Sequence, residues 1–247
     1  MTGQRLRLPK RISPCPIIGA VAEIRFQTDL RASAIPGLIY GAIRERFPSL
    51  RDTPGVSVPE EFRAIQPALA YQPVLIAEGP ELALHVGHKN FFVGMREKGE
   101  YPGWAAYRDA LAWVIERVKP LEVIKAPERL GLRYTDFFDP PLNERLKVEL
   151  RVNGEPKTGG PLQVIYQIRR EGFTGRVRVD TGAVYSGGRH PRPGIVLDVD
   201  LGFSLAATDF WEKVIAQFDL AHNLQKELFY SHLLQESFLA TLNPQYD

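Results

Sequence analysis

The sequence predicts an α+β fold in which curved antiparallel sheets pack on long helices. Three observations carry that expectation. Short runs with period-two alternation recur along most of the chain. Two stretches, one opening at Trp104 and one at Asp209, carry apolar residues at helical spacing. The order strand, helix, four strands, helix occurs in the first half and again, with its first helix cut to a turn, in the second.

The elements follow in order. In Ile17–Gln27, Ala22, Ile24 and Phe26 alternate with Val21, Glu23 and Arg25, the mark of a strand with one polar face. Ser33 reads as a helix cap with Pro36 in the first turn; Leu38, Ile39, Ala42, Ile43 and Phe47 follow helical spacing, and Pro48 stops the helix. Pro54, Gly55 and Pro59 make residues 49–60 a loop. Strand-like runs follow at Phe62–Ala70, Val74–Glu78, Leu82–Val86 and Phe91–Met95, separated by QP, EGP and HKN turns. YPGW then opens an amphipathic helix with Trp104, Tyr107, Leu111, Val114, Ile115 and Val118 on one stripe, ended by Pro120.

The second half opens with the strand pattern Arg129–Phe138. Pro140 and Pro141 lead into one helical turn at Leu142–Leu146, and strands are expected at Lys147–Val152, Leu162–Arg170, Gly175–Tyr185 and Ile195–Leu201. Asp209 and Glu212 make a capping box for a final helix reaching about Leu242, long enough to kink. The chain thus divides into a basic arm (1–16), a first α+β unit (17–125) and a second with the long C-terminal helix (126–247), the two units sharing one globule. A β-α-β4-α unit of this order resembles TATA-binding-protein-like and helix-grip folds, and its recurrence is what a duplication would produce. The likeness is one of element order, without a residue-by-residue repeat, and carries no function. A ferredoxin-like first half is the rival and needs fewer strands between Phe62 and Met95.

Composition bounds the classes of function. The formal net charge over 247 residues is only +2, so no global basic field marks a nucleic-acid binder. Charge is uneven, however: Arg5, Arg7, Lys10 and Arg11 precede any acid, as a solvated tail or as an arm for an acidic partner. Cys15 stands alone, which excludes an internal disulfide and a Cys-rich zinc site and fits a reducing compartment. No apolar run approaches the ~18 residues of a membrane span, and Pro9, Pro14 and Pro16 interrupt any signal-like segment. A cytoplasmic location without membrane contact is expected.

Candidate chemistry is sparse. His85 and His88 have a ligand-like spacing, but on a strand residues three apart face opposite ways, so no metal site is expected there. On the last helix the stripe Trp211, Ile215, Phe218 continues as His222, Gln225, Phe229 and His232; His222 and Gln225 either line a helix–sheet cleft or are satisfied by the sheet, and Asp219 is placed to orient His222. Asp198 and Asp200 share one strand face and could hold Mg²⁺, or pair with Arg176 and Arg178 in a cross-strand ladder, the more economical reading. Arg25, with Glu23, and Arg129 with Arg133 lie on polar strand faces suited to gripping phosphates or carboxylates, or to ion pairs with Glu23 and Glu128. Arg189, His190 and Arg192 make the loop 186–194 a basic hairpin tip. There is no GxGxxG, P-loop, GxSxG, HExxH or EF-hand loop, so no cofactor and no catalytic residue is assigned.

CPIIGAVAEIRF, YPGW, RLGLRYTDFF and AHNLQKELFYSHL together resemble a sporadically distributed bacterial protein family of about this length, with RLGLRY and YPGW the more specific segments. The family has no established activity, so the resemblance implies no site residue. Its sporadic distribution implies an accessory component of a mobile toxin–antitoxin or phage-defence system. The expected function is a non-catalytic binding or interaction protein, its partner an unknown protein or a small anionic ligand. Arg25, Arg129, Arg133, His222, Gln225 and the hairpin tip are the candidate contacts. The alternatives are a nuclease or phosphoesterase using His222 or the Asp198/Asp200 pair, and an RNA-binding module. Nucleic acid is not favoured, because Tyr134 and Phe138 alternate away from the arginines.

Overall fold

The computed structural model describes residues 7–139, 145–156, 160–187 and 190–246. The chain forms β1 (Ile17–Gln27), α1 (Ile35–Ile43), β2 (Ser49–Asp52), α2 (Glu60–Ile65), α3 (Pro67–Ala70), β3 (Leu75–Glu78), β4 (Leu82–Val86), β5 (Asn90–Met95) and α4 (Trp104–Val118). It continues through β6 (Ala126–Phe138), β7 (Arg151–Val152), β8 (Glu155–Pro156), β9 (Gln163–Arg170), β10 (Phe173–Tyr185), β11 (Arg192–Phe203), α5 (Phe210–Glu227) and α6 (Glu236–Thr241). Among the described residues no helix is long and apolar enough to cross a membrane.

Among the described residues nine strands join one antiparallel sheet in the order β2-β3-β4-β5-β1-β6-β11-β10-β9. Outward from the central β1/β6 pair, β5-β4-β3 on one side answers β11-β10-β9 on the other, so the strand order is symmetric, with β2 as an extra edge strand. β1, from residues 17–125, and β6, from residues 126–247, pair antiparallel in the middle of this one sheet.

Alternation assigns the two faces of that sheet. Ala22, Ile24 and Phe26 of β1, Leu130 and Leu132 of β6, Val177 and Val179 of β10, and Leu197, Val199 and Leu201 of β11 are buried on one side. Against them lie the stripes of α1 (Ile35, Ile39, Ile43), α4 (Tyr107, Leu111, Val114, Val118) and α5 (Phe210, Val214, Phe218, Ala221). Each fully buried aromatic such as Phe218 contributes roughly 1.5–3 kcal/mol relative to exposure. The intervening residues of the same strands, Glu23, Arg25, Arg129, Arg133, Asp198, Asp200, Arg176 and Arg178, share the opposite, charged face.

Several expectations are corrected. Phe62–Ala70 is not a strand but helices α2 and α3, and β2 falls in the segment read as loop. The alternation misled because this segment is inverted: Phe62 and Ile65 are exposed, whereas Arg63 is buried. Its guanidinium donates to the carbonyls of Val58, Leu69, Gln72 and Gly55. The strand expected at Lys147–Val152 shrinks to the two residues of β7. Of the turn expected at Leu142–Leu146, residues 142–144 lie outside the described residues. Neither predicted cap forms: α1 begins after Ala34 without a side-chain cap, and Asp209 bonds Lys213 instead of the helix N-terminus. The final helix does break. After α5 the chain widens into a π turn at Leu228–Leu233, and Leu234 becomes extended. No Pro or Gly causes this. Leu234 pairs with Leu146, while Lys147 N and Gln235 N bond Leu233 O and Arg145 O, so strand-like pairing captures the helix end. Likewise Lys10 and Arg11 pair with Gln245 and Ser13 with Leu242, which fastens residues 10–13 of the predicted arm to the C-terminus.

Candidate functional site

The charged face owes its layout to two glycines. Gly131 of β6 and Gly202 of β11 stand opposite each other in register and leave a trough free of side chains. Arg129 lies in it: a Cβ on Gly131 would come within 2.5 Å of Arg129 Nη1, and one on Gly202 within 3.0 Å of its Nε. From there Nη1 donates to Glu23 Oε2 (3.3 Å) and Nη2 to Asp200 Oδ1 (2.8 Å), tying β1, β6 and β11 together. Glu23 also accepts from Arg25 Nε (2.8 Å) and Asn90 Nδ2 (3.0 Å). Arg25 in turn lies 4.2 Å over the Tyr71 ring.

Arg133 donates through Nε and Nη2 to both oxygens of Asp198, at 2.7 and 2.6 Å. The ladder of Arg176 and Arg178 with Asp198 and Asp200 is thus half right. The register is as expected, Arg176 opposite Asp200 and Arg178 opposite Asp198. The carboxylates nevertheless turn to the β6 arginines, because the glycine trough lets Arg129 run along the strand to Asp200. Arg178 donates to Asp180 (2.7 Å) on its own strand. Burial alone would raise the Asp180 pKa, but hydrogen bonds from Arg178, Gln163 and the Gly182 amide outweigh it and hold the carboxyl below its ordinary value.

Two arginines are left over. Arg176 and Arg169, both exposed, have no hydrogen-bond or ion-pair partner among the described residues. With Arg129, Gln167, Thr174 and Asp200 they line a groove of about 310 Å³ at the β9–β10–β11 end of the face.

On the helix side, His222 and Gln225 do not line a cleft with free polar groups. Gln225 Nε2 donates to the carbonyls of Leu132 and Val199. His222 stacks on Trp104 with centroids 4.3 Å apart and planes at 7°, and its Nδ1 meets the Tyr134 hydroxyl at 3.1 Å, which meets that of Tyr101 at 3.0 Å. Burial, then the Lys226 charge, pushes its pKa down to about 3. Asp219 does not orient it; that carboxylate takes Trp104 Nε1 (2.9 Å) and Arg108 Nε (2.8 Å). Of the hairpin tip, Arg189 lies outside the described residues and His190 is exposed. Arg192 bonds Asp139 (3.3 Å) over the rings of Phe137 and Tyr185. His85 stacks on Phe92 at 4.3 Å while His88 bonds Glu60 (3.0 Å), so the two histidines point to separate partners. Among the described residues no group of three or more His, Cys, Asp or Glu side chains gathers as a metal site would require.

The structure therefore brings Arg25, Arg129 and Arg133 onto one face and separates them from His222, Gln225 and the tip. Sequence reasoning missed Arg169, the glycine trough and the buried Arg63. The glycines were readable, since Gly inside a strand marks a close approach. The fold and this face define a sheet protein closed by helices on one side and presenting charge on the other. A scan against protein-family models found no match to this chain, and a search of curated proteins found none either.

Proposed function

We propose that this chain is a non-catalytic binding protein and that the charged face of the sheet receives a small anionic ligand. The observation behind this is an imbalance. Across β1, β6, β11, β10 and β9 the face carries Arg25, Arg129, Arg133, Arg169, Arg176 and Arg178 against Glu128, which accepts from the Tyr71 hydroxyl beneath Arg25 (2.9 Å), and four further acids, Glu23, Asp180, Asp198 and Asp200. These four acids are all held by arginines or amides of the same face, and the cationic excess sits at Arg169 and Arg176. A surface with unneutralised guanidinium groups attracts anions.

The nuclease or phosphoesterase alternative has less support. Asp198 and Asp200 are occupied by Arg133 and Arg129, and His222 is boxed in by Trp104 and Tyr134. For an RNA-binding module, Tyr134 and Phe138 are buried on the helix side, and Tyr71 is taken by Arg25. An accessory role in a mobile toxin–antitoxin or phage-defence system rests on the sequence resemblance alone.

The test is thermal unfolding in phosphate, sulfate, citrate, glutamate and chloride at matched ionic strength. A ligand that binds only the folded chain raises Tm. Multivalent oxyanions should raise it above chloride, and R25Q/R176Q/R178Q should lose the gain while the helix-bearing-side variant R44Q/R117Q keeps it. Equal Tm in every anion would overturn the proposal.

A further inference from the structure

We infer that the groove between Arg129, Arg169 and Arg176 is a site for a phosphomonoester dianion; this rests on the charged face being the ligand-binding surface. Three features single the groove out from the rest of the face. The first is an unspent cation made by register. Arg176 stands directly opposite Asp200, yet Asp200 bonds Arg129, so Arg176 keeps a full charge beside a carboxylate that is already satisfied. The second is convergence from three strands. Arg129 comes from β6, Arg176 from β10 and Arg169 from β9. Arg176 pairs in register with Gln167, two residues before Arg169, which makes the two arginines diagonal neighbours roughly 7–8 Å apart at the backbone. Long guanidinium side chains at that spacing can both reach one ligand between them. The third is space, since Arg129 lies flat over Gly131 and Gly202 and a groove of about 310 Å³ stays open between it, Arg169 and Arg176.

Ligand class follows from charge and shape. The lining holds three arginines and one carboxylate, Asp200, an excess that a dianion neutralises and a monoanion does not. A carboxylate presents two coplanar oxygens, which one guanidinium fork satisfies. Guanidinium groups arriving from three strands suit a tetrahedral group with three terminal oxygens. Phosphomonoesters carry about −1.5 to −2 charges at pH 7 and three acceptor oxygens. Gln167 and Thr174 add neutral polar groups at the rim. The groove lining contains no aromatic ring on which a nucleobase would stack, so the phosphate is the recognised group.

Isothermal titration with inorganic phosphate, ribose 5-phosphate and dimethyl phosphate tests this. Inorganic phosphate and ribose 5-phosphate should bind, and dimethyl phosphate, a monoanionic diester, at least about tenfold more weakly. A preference for ribose 5-phosphate assigns the ester as the source; equal affinity assigns free phosphate. Binding should tighten from pH 5 to pH 7.5 as the phosphate gains its second charge near pH 6. R169A and R176A should each weaken binding about tenfold, the loss of one charge-assisted contact, and R192A should leave it unchanged. Phosphate binding that is lost in R25A but survives R169A/R176A overturns the groove assignment while leaving the face as a binding surface. No binding of any of the three anions overturns both. Binding of a 12-nucleotide RNA without binding of the monoesters overturns the small-ligand proposal in favour of a polyanion.

Discussion

Arg133 closes on Asp198 with two hydrogen bonds, and the carboxylate it holds is only 4% exposed while the arginine side chain is 44% exposed. The asymmetry sets the consequence of cutting the pair. The hydrogen bond to Asp198, which outweighs burial, also holds the Arg133 pKa above its ordinary value. R133L leaves a buried carboxylate without its donor and should cost about 3 kcal/mol in urea unfolding, at the low end for a broken buried pair because water reaches the arginine side. The double variant R133L/D198L should be more stable than R133L alone, a sign that only a stranded charge produces.

G131A should separate stability from binding. The new methyl displaces the end of the flexible Arg129 side chain and leaves the backbone in place, so the cost in unfolding free energy should stay near 1 kcal/mol or below. Arg129 must leave the trough, and its contacts with Asp200 and Glu23 go with it. Phosphate affinity by titration should fall well beyond what the small stability change implies.

Arg63 gives a prediction about order. Its guanidinium serves four carbonyls in residues 55–72 and is buried at 4% exposure. R63M removes these donors and should destabilise the chain by about 3 kcal/mol. Hydrogen exchange should show protection lost first across residues 53–74, with β6 and β11 still protected.

The pH dependence has two opposed parts. Burial holds the His222 pKa down at about 3 and, with the Arg51 charge, that of His85 at about 4, both below the unfolded value. Their contribution is present above about pH 6.5 and lost as pH falls through the folded values. Asp136 runs the other way: burial, then the Asp198 charge, raises its pKa to about 8. Its contribution is full below about pH 4 and lost as pH rises toward 8. H222Q should therefore flatten the acid limb of unfolding free energy against pH, leaving the His85 part, and D136N should flatten the limb between pH 4 and 8. Urea midpoints across pH 3–9 check both.

Period-two alternation located most of the large sheet because its strands are apolar on one side only; Ala22, Ile24 and Phe26 against Glu23 and Arg25 is the clearest case. It failed at Phe62–Ala70, where a buried arginine and exposed apolar residues invert the rule. The break after Glu227 was illegible because its cause is pairing with residues 145–147, more than 80 positions away. The charged face was legible as residue types and the β10/β11 register as an expectation. The choice of Asp198 and Asp200 between two flanking strands was not, since it depends on how far Arg129 can extend over Gly131, a matter of side-chain reach.

The division between committed and unspent arginines can be read by chemical labelling. Arginine modification with p-hydroxyphenylglyoxal, followed residue by residue by mass spectrometry with and without inorganic phosphate, reports it directly. Arg169 and Arg176 should react fastest on the sheet and be shielded by phosphate, while Arg133 stays slow in both conditions. Reaction of Arg133 at the rate of Arg176, or shielding that falls on arginines of the helical side, would contradict the account.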